Sequence, residues 1–484
     1  MKAFIKPNHK KNLKGIFKGA GVLMLLFACL LAAVLMSGQS NPYAGAGTGR
    51  YYKILGQSLK SSVAAVETGK KQPLASLSKI NRELKKYGKM TIAGMKGSDY
   101  DKAMAEEWKK VNAQGGPQNL SVDIRKQMDY KTFEAIIMNL DKYGGVEVYD
   151  IGDSAKKRNI YMAVLDFTNR DKPVENKPII LITGGVHAIE FAGTEFCAKF
   201  LNDIVVKAQN DPYTRLLLEN VRIAAVPLVN PDARELIIQG KLKSVWKANA
   251  NGIDLNRNMP SLNAGQLIKG IRQNRSIAKK KGAGYFPGYN LGSESESRAM
   301  IKFFNTWVTD KNTRFYADLH QQAGWQYYNK IFLSAASDKL SKSFAGLTNK
   351  LLKNRYPLKS EKSTYGIDGV GGTMTDYARS VAEGMVFSYK YGRLVMKIKG
   401  AEKPLIAFRD IDKVKAYYKP VNDRFVSITP EIAKAGSIGP GAKSRQLRFD
   451  EYNKYNWANF LPGTIENILG SGKVKELKQA ASRE

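Results

Sequence analysis

The sequence predicts an α/β fold: an open, mostly parallel mixed sheet with helices on both faces. Two observations predict it. From about residue 128, continuous apolar runs alternate with amphipathic segments. Strands buried on both faces read as such runs, and the helices between them cover the sheet. Polar residues then fall just past three of the runs: His187 after PIILITGGV, Asn230 after VRIAAVPLV, and His320 after RFYADL. In open sheets of this kind, function sits beyond the carboxyl ends of the strands.

The first element, MDYKTFEAIIMNLDKYG, has helical spacing; VEVYDIG and NIYMAVLDF read as strands. After the buried strand PIILITGG come the helix GTEFCAKFLNDIVVKA and the strand VRIAAVPLVN. The helix SESRAMIKFFNTWV leads to the strand RFYADLH, and the helix DKLSKSFAGLTNKLLK to a last strand, GMVFSYKYG. This domain is expected over residues 128–440. Residues 441–484 are expected to be a charged C-terminal tail, with some helical packing before a frayed end.

The N-terminus reads differently. Residues 1–18 hold six lysines and no acid, and residues 19–36 hold no charge. An apolar run of this length nearly matches the roughly 20 residues that span a bilayer. The lysines should stay cytoplasmic, so the main domain is expected to be extracytoplasmic, in the cell envelope. Residues 19–37 are then a transmembrane anchor, or a cleaved signal with the same order of parts, which would leave the protein secreted. Residues 38–125 are expected to form a linker and helical spacer. The 77 Lys+Arg against 43 Asp+Glu give +34, which favours anionic partners such as a cell-wall polymer or lipid. The basic residues are scattered, without the stripe of a nucleic-acid module, so no specific nucleic-acid partner is expected. There are two cysteines. Cys29 lies in the apolar segment and Cys197 in an expected buried helix, which excludes a disulfide scaffold.

Only three histidines occur in 484 residues. Two of them, His187 and His320, end apolar runs far apart in the chain, and Glu190 comes three residues after His187. Two imidazoles and a carboxylate, with a fourth position open, make a catalytic zinc set. Zinc would acidify a water and polarise a carbonyl. H-x-x-E by itself is a weak signal, and alone it favours a chance pair with a core histidine.

Six further stretches occur in order: VYDIGDSAKKRNIYMAVL, GGVHAIE, VNPD, WKANANGIDLNRN, SESES and ADLH. Together they resemble the zinc carboxypeptidase family (M14-type metallocarboxypeptidases, or funnelins) over residues 128–395. The resemblance implies one zinc ion held by His187, Glu190 and His320. It implies a peptide substrate whose C-terminal carboxylate is gripped by Asn256 and Arg257, and a planar guanidinium suits that task. Lys247 stands where the family carries an arginine that polarises the scissile carbonyl, and Tyr365 lies near the family's mobile tyrosine. Thr375 is a candidate for the specificity pocket.

One position departs from the family. Counting on from Asp376 of GTMTDYARS sets Lys390 where a general-base glutamate is expected. A protonated lysine cannot accept a proton. Either the count misplaces the register of this last strand, or one of three functions holds: a peptidase with a substitute base, such as Glu383 or a neutral Lys390; an envelope module that binds peptide carboxylates through zinc and Arg257; or a polyanion-binding protein on a decayed enzyme fold. Cell-wall stem peptides are the expected substrate if the protein is exported.

Overall fold

The computed structural model describes residues 117–168, 174–243, 246–261, 286–288, 290–321, 330–333, 359–362, 372–390, 393–398, 401–404, 421–433 and 437–483. The basic segment, the anchor or signal and all but the end of the spacer lie outside these residues. So do Tyr365 and the expected helix DKLSKSFAGLTNKLLK. No described helix is long and apolar enough to cross a membrane.

The chain enters through helix α1 (Tyr130–Leu140), capped by the Asp129 carboxylate, which accepts from Thr132 N. An antiparallel pair comes next, β1 (Val146–Asp153) and β2 (Asn159–Leu165). Strand β3 (Ile179–Gly184) leads into helix α2 (Phe191–Lys207) and then α3 (Pro212–Glu219). Strand β4 (Arg222–Val226) leads into α4 (Pro231–Ile238), where Pro231 holds the first position and its missing N–H costs nothing. Then come a 3-10 turn (Leu255–Arg257), helix α5 (Ser295–Trp307), strand β5 (Thr313–Leu319) and the short strands β6 (Lys330–Leu333) and β7 (Lys359–Lys362). Helix α6 (Met374–Ala382) precedes β8 (Val386–Lys390), β9 (Arg393–Ile398), β10 (Ala401–Pro404) and β11 (Val426–Pro430). Three helices end the described chain: α7 (Ala442–Lys454), α8 (Phe460–Leu469) and α9 (Ser471–Ala481).

The main sheet runs β1-β2-β4-β3-β5-β11-β6-β7. Its centre, β4-β3-β5-β11, is parallel. The flanking pairs β1–β2, β2–β4 and β11–β6 are antiparallel. The mixed α/β sheet is therefore as expected, with its parallel part at the centre. All six residues of β3 are buried, as a strand covered on both faces requires.

Two expectations need correction. The strand VFSYK does not close the main sheet. It is β8, and it pairs with β9 in a separate three-stranded antiparallel sheet. The register pairs Lys390 with Arg393. Strand β8 pairs with the strand that follows it, and the place beside β5 is taken by β11, which begins 36 residues after Lys390. In the C-terminal segment the expected helical packing extends further than the charged tail allowed for. Trp457, Phe460, Leu461, Ile465 and Leu477 belong to the same buried cluster as Phe196, Phe200 and Leu201 of α2. Phe460 stacks on Phe200 with centroids 5.7 Å apart.

Trp457→Ala should therefore cost about 3–5 kcal/mol of unfolding free energy, as for other buried large-to-small changes. Urea denaturation followed by circular dichroism measures this. A change near zero would return the segment to the status of a tail.

Candidate metal centre

The centre lies where three chain segments meet at the ends of β3, β5 and β11. Glycines make the approach possible. Gly185 turns the chain out of β3 with φ +67°, a conformation that suits glycine. A Cβ on Gly184 would fall 2.4 Å from the Gly193 carbonyl oxygen, and one on Gly193 would fall 2.3 Å from the Leu319 carbonyl oxygen. The start of α2 is thus pressed against the end of β5. That contact brings the β3–α2 turn, with His187 and Glu190, up to His320.

The ligand atoms of His187, Glu190 and His320 lie within 4.8 Å of one another. The three residues are 5%, 2% and 3% exposed. His187 Nδ1 is 2.8 Å from Glu190 Oε1, and His320 Nδ1 is 2.8 Å from Glu190 Oε2. Each ring's other nitrogen meets a carboxylate: His187 Nε2 meets Asp254 at 3.2 Å, and His320 Nε2 meets Asp318 at 2.9 Å. Carboxylates behind imidazoles fix ring orientation and tautomer at metal sites. Gln321 N donates to Glu190 Oε2 at 3.0 Å. Lys247 Nζ lies 2.9 Å from Glu190 Oε1, on a side chain that is 23% exposed.

These charges shape one another. Burial pushes the Glu190 carboxyl up, but His187, Lys247 and His320 outweigh it and hold it well below its usual range. Burial pushes the His320 ring down, but Asp318 and Glu190 outweigh that and hold it protonated well above its ordinary value. Burial likewise opposes the charge on Lys247, but Glu190 overcomes it and raises the ammonium above its ordinary value.

The pair expected to bind a carboxylate lies beside this set. Asp254 Oδ1 accepts from Asn256 N at 3.0 Å and so connects the 3-10 turn to His187. Asn256 Oδ1 accepts from Met374 N at 2.8 Å, and Asn256 Nδ2 lies 3.3 Å from His320 Nε2. Arg257 is 8% exposed, with Nη1 donating to the Asn256 carbonyl at 2.5 Å. Asn230, the third polar residue at a strand end, is a clamp. Its Nδ2 donates to the carbonyls of Val186 and Ala248 at 3.2 and 3.1 Å, joining the His187 turn to the Lys247 stretch.

The structure also supplies a residue that sequence reasoning missed. Glu431 comes just after β11 and bridges His320 on the neighbouring parallel strand. His320 N donates to the Pro430 carbonyl at 3.0 Å, and Ile432 N to the His320 carbonyl at 2.9 Å. Glu431 is 4% exposed. Burial, then the Glu190 charge, pushes its carboxyl up to about 8, against the pull of His320 and Lys247. Lys390 does not occupy this position, because its strand lies in the other sheet. Glu383, the other candidate base, caps the C-terminal end of α6 and pairs with Arg379 at 2.9 Å. Thr375 is buried, with its hydroxyl 2.5 Å from that of Thr429, two residues before Glu431. The resembled family carries its general-base glutamate in a stretch like F-T-x-E-L, and Thr429-Pro430-Glu431-Ile432 has that spacing, so a signal is present in the sequence.

Two imidazoles and a carboxylate, each imidazole backed by a second carboxylate, fit zinc in donor type and in outer shell. Comparison with known proteins agrees. Residues 136–394 match the zinc carboxypeptidase family profile, more than half of the chain, which therefore belongs to that family. The carboxypeptidase N catalytic chain of Rattus norvegicus is 34% identical over 122 residues, covering 24% of this chain and 26% of the relative. Carboxypeptidase E of Caenorhabditis elegans is 31% identical over 123 residues, covering 24% of this chain and 26% of the relative. The chain spans about a quarter of the length of these two curated relatives. Among solved structures, thrombin activatable fibrinolysis inhibitor is similar over 76% of this chain and 83% of its own, with TM-score 0.49 and 15% identity. Glu431 lies beyond the residues matched to the family profile.

A metal ligand must be a neutral imidazole, whereas His320 in the metal-free protein is held protonated. Zinc binding should therefore release about one proton per ion near neutral pH, and apparent affinity should rise with pH. Calorimetry in buffers of different ionisation enthalpy reads that proton. Uptake with no proton released would contradict a protonated His320 in the metal-free protein.

Proposed function

We propose that this chain is a zinc-dependent metallocarboxypeptidase that removes the C-terminal residue of a peptide. The observation that carries the proposal is Glu431 beside His320. It adds a buried carboxylate to the edge of a zinc-type ligand set. Zinc held by His187, Glu190 and His320 would supply Lewis-acid polarisation and an acidified water.

The chain's own residues do the rest. Arg257, with Asn256, binds the terminal carboxylate and sets which peptide bond is presented. Glu431 accepts a proton from the attacking water and delivers it to the leaving amine as the C–N bond breaks. Lys247 stabilises negative charge developing on the carbonyl oxygen. It does so as a point charge, without the forked geometry of arginine. A non-hydrolytic carboxylate-binding module rests on Lys390 alone. With Glu431 beside the ligands, that reading has no separate support.

The N-terminal sequence and the charge bear on location and substrate. The lysine cluster and the apolar run at residues 19–36 favour an envelope protein, anchored or secreted. The charge of +34 favours an anionic wall or lipid surface. Cell-wall stem peptides are the substrate class consistent with both.

The decisive comparison uses zinc-loaded full-length protein on a panel of simple and stem peptides. Glu431→Gln should lower kcat by about 10²–10⁴-fold while zinc stoichiometry stays at the wild-type value. Lys390→Ala should leave kcat unchanged. Lys247→Ala should lower kcat by about 10²–10³-fold, as for removal of an oxyanion donor. Wild-type turnover in Glu431→Gln would sink the assignment of the base.

A further inference from the structure

The proposed mechanism leaves a buried polar stripe unused. Strand β5 and the residue that follows it place Tyr316, Asp318 and His320 at alternate positions, hence on one face. These residues are 0%, 0% and 3% exposed. Thr183 of β3 pairs with Asp318 across the parallel ladder. Its hydroxyl lies 2.7 Å from Asp318 Oδ1 and 2.7 Å from the Tyr316 hydroxyl. Polar groups placed this deep are costly unless each has a partner. In this stripe they form a chain of hydrogen bonds that ends on a metal ligand.

Proton counting fixes the direction of each bond. A threonine hydroxyl has one proton. That proton is donated to Asp318 Oδ1, so the Thr183 hydroxyl accepts from Tyr316. Asp318 Oδ2 then accepts from His320 Nε2 at 2.9 Å. The Asn256 amide nitrogen, 3.3 Å from Nε2, is a donor, so when Nε2 carries the proton Asp318 is the group that accepts it. The proton of a neutral His320 is thereby kept on Nε2, and Nδ1 is left with its lone pair facing Glu190.

We propose that Thr183, supported by Tyr316, is a positioning residue for the metal site: it holds Asp318 in the orientation that sets the tautomer and aim of His320. Thr183 touches neither metal nor substrate and acts through Asp318. The inference rests on His187, Glu190 and His320 being the metal ligands.

The test uses the full-length chain, stripped of metal. Zinc affinity is measured by competition with a chromophoric chelator, and the visible spectrum is recorded with Co²⁺. Thr183→Val keeps the shape of the side chain and removes the hydroxyl. Its zinc affinity should fall by about tenfold or more, the usual effect of losing an outer-shell partner, and its cobalt spectrum should change. Thr183→Ser restores the hydroxyl and should recover both. Tyr316→Phe should show a smaller loss in the same direction. Wild-type affinity and an unchanged cobalt spectrum in Thr183→Val would overturn the inference while leaving the metal site intact. If the valine variant does not fold, the same two results in Tyr316→Phe overturn it. A wild-type chain that takes up no zinc overturns the ligand assignment, and this inference with it.

Discussion

The interaction on which the site depends is the burial of the Glu190 carboxylate. It sits at 2% exposure at the start of α2, within 3.0 Å of His187, His320, Lys247 and the Gln321 amide. A charge removed from water at that depth is tolerated only if it is surrounded by partners. The turn after β3, the end of β5 and the Lys247 stretch all converge to provide them. The glycines at 184, 185 and 193 answer the same requirement, because a side chain at any of them would hold the segments apart. A divalent cation would answer it more fully than cationic side chains can.

Much of this is legible in the sequence, and what is legible is local. His187, Glu190 and His320 lie at or just beyond the ends of apolar runs, so the pattern of the chain itself places them at strand ends. Asn256 and Arg257 can be read because they lie within a continuous motif and fold as a single turn. Glu431 cannot be found by counting. Its distance from Asp376 is set by the β8–β10 sheet and the chain between that sheet and β11. Chain length between elements is loosely constrained where an excursion forms its own hydrogen bonds. Register in the main sheet is set by pairing with β5, and only the structure states which strand pairs there. The spacing around Glu431 is a surer guide than the count.

The C-terminal helices mislead for a related reason. Their composition is charged, and charge suggests solvent exposure. Arg448 shows how that fails. It is fully buried, with Nε 2.5 Å from Glu195 Oε2 and Nη2 3.0 Å from Glu195 Oε1. Such bidentate pairing lets an arginine stand inside a core. Arg234 completes the cluster, with Nη2 3.2 Å from Glu195 Oε1.

That cluster also joins the late chain to the metal centre. Glu195 lies on α2, five residues from Glu190. Arg448 Nη1 donates to the Ser437 carbonyl at 2.6 Å. The Ser437 hydroxyl accepts from Gln321 Nε2 at 2.6 Å, and Gln321 Oε1 accepts from Ala192 N at 3.2 Å. Gln321 is next in the chain after His320 and donates its own backbone N–H to Glu190. Helix α7 therefore holds α2 by an ion pair and the residue after His320 by a relay of hydrogen bonds. The two elements that carry the ligands are tied together from behind as well as through Glu190 itself. A ligand set built on the rims of strands is held rigid in this way by groups far along the chain, and the fold has to be complete before the site has its shape.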